Sequence, residues 1–408
     1  MRESEQAVLV ERLGRYPAER YPVQHATTQF HLGSVLLHAG ETASALQALT
    51  AARDVFTGAG MRLERAKATV MLGVALRAAG RAKPAAEALH EACAILAELD
   101  APAERAAAAY NLALVLSDAG DPTGAHQAWS SAQELFLSAG YPGQAAAAAR
   151  DHGASLLTSG DVDGAVPLLE LASSLAERAG DDPGTAAAAN VLGLAHLAAD
   201  NASAAVAVLR RALGFVPRST RPTDYAMVKA NLALAHERAG SPARARLAAR
   251  QAVAVASSAP PVRAQAQELL ARLPGSAPED LLEVLDEQDR SSWAPLVRED
   301  VLRVADSSAG ERRVLVVGLL DGLLTRPAAS YDLAESLLQV VLELPPRWYE
   351  LLVAAIVDAV AGRPEQDVAR LQAVFGSAMA RFALPQWQRL AASLNAAAEA
   401  AGLPATWR

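Results

Sequence analysis

Apolar and polar positions follow the 3.6-residue period of amphipathic helices along most of this chain, and the pattern itself recurs. The segments LGSVLLHAG, LGVALRAAG, LALVLSDAG, HGASLLTSG, LGLAHLAAD and LALAHERAG end at Gly40, Gly80, Gly120, Gly160, Asp200 and Gly240, one every 40 residues without insertion or deletion. Two columns are alanine throughout: Ala45, Ala85, Ala125, Ala165, Ala205, Ala245, and Ala52, Ala92, Ala132, Ala172, Ala212, Ala252. Each unit predicts two helices, which in the second unit are Leu63 to Ala79 and Pro84 to Leu99. Gly80 falls just past the first of these, where a left-handed residue ends a helix. Asp121, Asp161, Asn201 and Ser241 stand where the second helix needs an N-cap. Pro84, Pro122 and Pro242 stand in or near its first turn, where a missing N–H does no harm.

The columns also predict how the helices pack. Ala45, Leu49 and Ala52 share one face of the second helix, and Leu32, Gly33 and Leu36 share the matching face of the first. Gly33, Gly73, Gly153 and Gly193 are mid-helix glycines. Each costs about 1 kcal/mol relative to alanine, which a close crossing by the second helix would explain. Ala113 and Ala233 fill the same column. Neither helix buries its apolar stripe alone, so neighbouring hairpins must stack.

The residues Leu72, Gly73, Leu76, Gly80, Ala85, Leu89 and Ala92, with their counterparts in the other units, resemble the tetratricopeptide repeat. The period of 40 and the long helices are similar to the subclass found in kinesin light chains and in the sensor regions of bacterial regulators. The consensus Trp and Tyr are mostly leucine here, and the consensus Pro after the second helix is absent from most units. The expected fold is all-α: a right-handed α-solenoid of six such hairpins over residues 25–272, behind an N-terminal capping helix in residues 1–24. A linker at Pro274, Gly275, Ser276 and Pro278 leads to a helical C-terminal domain, residues 277–408. There the pattern predicts helices near 279–288, 294–306, 310–325, 329–343, 347–361, 364–382 and 385–401. The breaks fall at Ser307 to Gly310, Pro327, Pro345-Pro346, Gly362 to Pro364 and Pro385.

Composition supports the helical reading, since 96 of the 408 residues are alanine, the best helix former. Net charge is −8, and no basic run offers phosphate neutralisation, so no nucleic-acid partner is expected. The cations are nearly all arginine, a skew that fits a GC-rich bacterial genome. Cys93 is the single cysteine, which fits a reducing cytoplasm. The N-terminus has no apolar signal core. The apolar stretch Leu351 to Ala361 is broken by Asp358 and too short for a bilayer. A cytoplasmic protein with no membrane partner is the expectation.

Catalytic motifs are missing from the sequence: no P-loop, G-x-G-x-x-G, H-E-x-x-H, C-x-x-C or G-x-S-x-G. All eight histidines precede residue 237. No cofactor is expected. His196 and His236 share a column in adjacent units and are the candidates for a metal pair, against a reading as half-buried packing histidines. His152 replaces a core leucine beside Asp151, either as a hydrogen-bonded core histidine or as half of a dyad. Cys93 follows a packing alanine and reads as a structural thiol.

The resemblance implies a concave groove lined by the first helices, which in tetratricopeptide proteins commonly takes a peptide, often held by asparagines. Phe30, Tyr110, Asn111, Arg150, Asn190 and Asn231 are its candidates here. The leading reading is a non-catalytic scaffold or adaptor for a protein or peptide partner. A sensor of a peptide or small molecule, acting through a separate output protein, is the second, and an enzyme on a helical scaffold the third. The segments Val314 to Leu320, Leu337 to Leu342 and Leu351 to Val357 are apolar on more than one face. They are therefore buried centrally or paired with a partner. Trp348, Tyr349, Trp387 and Trp407 are candidates for a second contact surface serving a partner or self-association.

Overall fold

In a computed structural model, residues 2–255, 257–275, 277–305, 308–404 and 406–407 are described. Ser276 of the expected linker and Ser307 of an expected break lie outside them. Among the described residues every regular element is helical. The chain divides into two compact units, Met1–Asp200 and Asn201–Arg408.

The first unit holds α1 (Arg2–Arg15), α2 (Pro22–His38), α3 (Thr42–Gly58), α4 (Arg62–Ala78), α5 (Ala82–Glu98), α6 (Pro102–Asp118), α7 (Pro122–Ser138), α8 (Pro142–Thr158), α9 (Val162–Arg178) and α10 (Asp182–Ala198). From α2 to α10 each helix has 17 residues. One turn is used throughout. Gly40, Gly60, Gly80, Asp100, Gly120, Gly140, Gly160, Gly180 and Asp200 all have positive φ. The next N–H reaches back to a carbonyl of the last turn, as in Glu41 to Leu36, Met61 to Phe56 and Arg81 to Leu76, each 2.9 Å. This is the Schellman closure, which satisfies carbonyls that a helix end leaves bare. The 40-residue unit is therefore two helix-and-turn steps closed in the same way. The half-period column of Gly60, Asp100, Gly140 and Gly180 marks the turns between hairpins. Asp121, Asp161 and Asn201 cap as expected, accepting from Gly124, Gly164 and Ala204 N–H at 3.0, 2.9 and 3.1 Å. Ser241 makes no side-chain cap bond.

The crossing of first and second helices is as close as the glycines predict. A Cβ on Gly33 would lie 2.6 Å from Leu49 Cγ, one on Gly73 2.6 Å from Leu89 Cγ, and one on Gly153 2.7 Å from Leu169 Cγ. These leucines are fully buried, so their side chains lie where the Cβ would be. A third alanine column accompanies them: Ala26, Ala66, Ala106, Ala146, Ala186, Ala226 and Ala266, all buried.

The N-terminal helix is in phase with the repeat. Leu9 stands in the column of Leu49, Leu89, Leu169 and Leu209 and is buried like them. The turn after α1 is built on Pro17, whose carbonyl accepts from Arg20 and Tyr21 N–H at 3.2 and 2.9 Å. The turn at Pro217, five periods later, accepts from Thr220 and Arg221 at 3.2 and 2.8 Å. α1 thus has the place of a second helix of the repeat.

The second unit begins with α11 (Ala202–Ala212), a 3-10 turn at Leu213–Phe215, α12 (Pro222–Arg238), α13 (Pro242–Val253) and α14 (Pro260–Arg272). Position 220 is threonine, and a β-branched residue adopts positive φ only at a cost. The helix accordingly closes early and the Pro217 turn replaces the Schellman turn. α14 carries Ala266, so it has the place of a seventh first helix. There follow α15 (Ala277–Asp286), α16 (Trp293–Ala305), α17 (Ala309–Thr325), α18 (Ser330–Glu343), α19 (Pro346–Ala361), α20 (Glu365–Met379) and α21 (Leu384–Ala400). In this part the main packing is between alternate helices. α13, α15, α17, α19 and α21 form one row, and α16, α18 and α20 another. Their core includes Ala243 and Leu247 of α13. Asp280 is 1% exposed. It accepts from Arg246 Nε at 2.8 Å and pairs with Arg250, tying α15 to α13. The three all-apolar segments are central to this core.

Gly73→Ala discriminates between propensity and packing. Propensity alone predicts a gain of about 1 kcal/mol. Overpacking against Leu89 predicts a loss of about 1–3 kcal/mol, and a loss is the expected result in urea unfolding followed by circular dichroism.

Candidate binding surface on the first helices

Of the stripe candidates in the first unit, Phe30, Tyr110 and Arg150 are linked to one another through an apolar cluster and Asp151. Phe30, Val70 and Tyr110, on α2, α4 and α6, are half-buried against one apolar cluster, and the Phe30 and His31 rings meet edge to face at 5.4 Å. Tyr110 Oη donates to Asp151 Oδ2 at 2.6 Å. Arg150 Nε donates to Asp151 Oδ1 at 2.9 Å. The hub is Asp151, and it joins α8 to α6. Its signal was present in the sequence, since a carboxylate one period and one residue past a tyrosine lies on the adjacent first helix. Burial, and then Asp151, push the Tyr110 hydroxyl well above the ordinary tyrosine range. Further ties between first helices follow the same logic: Lys67 to Glu104 at 3.2 Å and Arg77 to Asp118 at 2.6 Å.

The three asparagines are not a row of free amides. Asn111 Nδ2 donates to Ala107 O of its own helix at 2.8 Å. Asn190 is 6% exposed. In the second unit, Asn231 is 7% exposed and accepts from Gln265 Nε2 of α14 at 3.1 Å. Sequence position places a residue on a stripe, whereas burial and back-bonding to i−4 depend on the neighbours.

Other candidates are distributed differently from expectation. Tyr349 and Trp407 are each 4% exposed, so the second contact surface cannot be made from them. Both belong to the core, where the Trp407 ring meets Phe375 edge to face at 5.6 Å. Trp348 and Trp387 are half-buried on the same core. His196 is half-buried in the first unit and His236 buried in the second. Among the described residues no three His, Cys, Asp or Glu side chains are grouped to hold a metal ion. Cys93 is half-buried, and burial raises its thiol pKa. Among the described residues no helix is long and apolar enough to cross a membrane.

Paired helices of fixed length, glycine crossings and an alanine-lined interior define a helical-repeat scaffold. Residues 144–217 match the model of the tetratricopeptide repeat family. No curated protein sequence matches the chain. Among solved structures, the apo form of RapI superposes with a TM-score of 0.55 at 12% identity, over 82% of this chain and 85% of RapI. The quorum sensor NprR from B. thuringiensis follows with 0.46 at 13% identity, over 87% of each chain. BtubC from P. vanneervenii gives 0.47 at 20% identity, over 52% of this chain and 90% of that one. At these identities the likeness to RapI is a likeness of fold. Such a fold presents stacked helix stripes.

Behind the stripe, α7 and α8 enclose an aromatic cluster. His152 stacks on Trp129 at 5.9 Å and lies 4.9 Å from His126. His152 Nδ1, His126 Nε2 and Trp129 Nε1 are buried without a hydrogen-bond partner. His152 is therefore a core histidine but not a hydrogen-bonded one through Nδ1, and Asp151 is occupied by Tyr110 and Arg150, so the dyad is not formed. Burial, and then the charge of His126, lower the His152 pKa to about 4. The unfolded chain, with a histidine pKa of about 6.5, takes up the proton first as pH falls. Stability is thus complete above about pH 6.5 and is lost progressively toward about pH 4, by up to roughly 3 kcal/mol. His152→Leu restores the residue common to this column and should flatten that part of the pH dependence of Tm. An unchanged acid slope would show that His152 is not the source.

Proposed function

We propose that this chain is a non-catalytic interaction scaffold, and that the first-helix stripe in residues 1–200 docks a segment of a protein or peptide partner. The observation that carries this reading is the Tyr110–Asp151–Arg150 network beside half-buried Phe30 and Val70. Tyrosine, phenylalanine and arginine are the residues that interface cores favour. Here the polar members are already oriented by their own bonds, so less ordering is needed on binding. An extended segment with small apolar side chains and free backbone groups fits such a stripe. Asn111, bonded to its own helix, holds the surface in shape. The acidic balance of the chain argues against nucleic acid, and the cytoplasm is the compartment in which a scaffold with one unpaired cysteine is at home.

The test is a Tyr110→Phe, Arg150→Ala double variant, offered to the partner recovered with the wild-type chain from its native host. Affinity should fall by roughly tenfold or more, equivalent to about 1.4 kcal/mol, with helical content unchanged. Undiminished affinity with an intact fold would remove the stripe from the proposal.

A further inference from the structure

The second unit contains a cavity of about 210 Å³ that no motif announces. α12 and α13 wall it on one side, α15 and α16 on the other, with Arg210 of α11 also lining it. Its polar lining is Arg210, Lys229, His236, Arg244, Gln251, Gln288 and Glu299. The one carboxylate in that set is already engaged: Lys229 Nζ pairs with Glu299, and Tyr225 Oη donates to the same oxygen. Arg244 bonds Glu287 at 2.9 Å from the outer side. Three cations therefore stand against two carboxylates, Glu299 and Glu287, and Arg210 has neither of them as a partner.

Two lining side chains are buried and unanswered. Gln251 is 2% exposed and His236 8% exposed. Among the described residues neither the amide nor the ring has a hydrogen-bond partner. Neither has a fully buried unpaired polar atom, so their polar groups open onto the cavity, where water or a ligand supplies the partner that buried polar groups in proteins nearly always have. Burial, and then Arg244, Arg210 and Lys229, lower the His236 pKa to about 4, and these three cations all line the cavity beside its ring. A cation would be repelled there and an anion drawn in. The volume decides the size class. It is several times the share of one water, about 30 Å³, yet below the roughly 300 Å³ at which drug-sized sites begin.

We propose that this cavity binds a small oxyanion, a carboxylate or phosphate group on a molecule of few atoms, with Arg210, Lys229 and Arg244 meeting its charge and Gln251 and His236 hydrogen-bonding its oxygens. This site is independent of the first-helix stripe, and each fails or stands without the other. Lys229 supports it from an unusual position. Its column elsewhere holds Gln29, Thr69, Ala109, Ala149, Ala189 and Leu269, and here it carries an ammonium that is 5% exposed.

The experiment uses the full chain, with sodium acetate and sodium phosphate as probes against sodium chloride at matched ionic strength. Thermal unfolding and the histidine proton resonances are followed together. At least one oxyanion should raise Tm saturably at millimolar concentration where chloride does not. Bound anion should also raise the His236 titration, because it offsets the field of Arg210, Lys229 and Arg244, the cations that face the ring alongside Glu299. A response to acetate alone assigns a carboxylate, to phosphate alone a phosphate, and to both the shared oxyanion chemistry. Gln251→Leu and Arg210→Gln remove side chains that make no hydrogen bond or ion pair among the described residues, so both should fold. Each should weaken the oxyanion response at least tenfold. No saturable response to either probe, or an equal response in Gln251→Leu, would leave the cavity as a water-filled packing gap and overturn the proposal.

Discussion

The array depends on how near a second helix can approach the first helix of its hairpin. At Gly33, Gly73 and Gly153 the approach leaves no room for a β-carbon, and a leucine of the second helix occupies the space. The alanine columns serve the same end over the rest of the contact, with Ala45, Ala52 and Ala26 and their equivalents buried throughout. Small side chains forfeit buried area per residue, but they lose no rotamer entropy on folding. They also let backbones pack densely over the full length of a 17-residue helix. Where the glycine column changes to Ala233, the facing position becomes Ala249 rather than leucine, which keeps the sum of the two side chains small.

Close packing of this kind tolerates only one register, and the turns supply it. A left-handed residue placed 20 positions after the last ends each helix at the same point relative to its neighbour. Thr220 interrupts this, and the chain answers with a proline turn that also follows α1. Among the C-terminal helices the strict spacing is lost, and the packing passes to alternate helices in two rows. Polar groups then take over part of the joining. Asp280, buried with Arg246 and Arg250, fixes α15 to α13. Losing one partner of such a buried pair typically costs about 3–5 kcal/mol.

Polar chemistry in this protein is concentrated where a repeat column departs from its usual residue. His152 replaces leucine, Lys229 stands in a column that is otherwise uncharged, and Asp151 in one that holds no other carboxylate. Each departure leaves a mark in the structure: an unbonded ring nitrogen, a buried ion pair, a hub joining two helices. A repeat makes such departures visible, because five or six neighbouring units show what the position holds when packing alone decides it.

The sequence by itself determined the helices, their order and the crossing points, because helix periodicity, glycine placement and alanine columns are local signals repeated many times. It also held the half-period turn column, the seven-fold alanine column that extends the array to α14, and the phase of α1, all legible in the residues once the period is applied to every position. What only the tertiary structure decided is the state of the polar side chains. Position on a stripe did not reveal that Asn111 bonds its own helix, that Asn190 and Asn231 are buried, or that Tyr349 and Trp407 are core rather than surface. Nor did it reveal the cavity beside His236 and Gln251, whose walls come from α12, α13, α15 and α16, with Arg210 of α11 beside them. Burial and hydrogen bonding depend on helices far away in the chain, and no local pattern encodes which of them arrive.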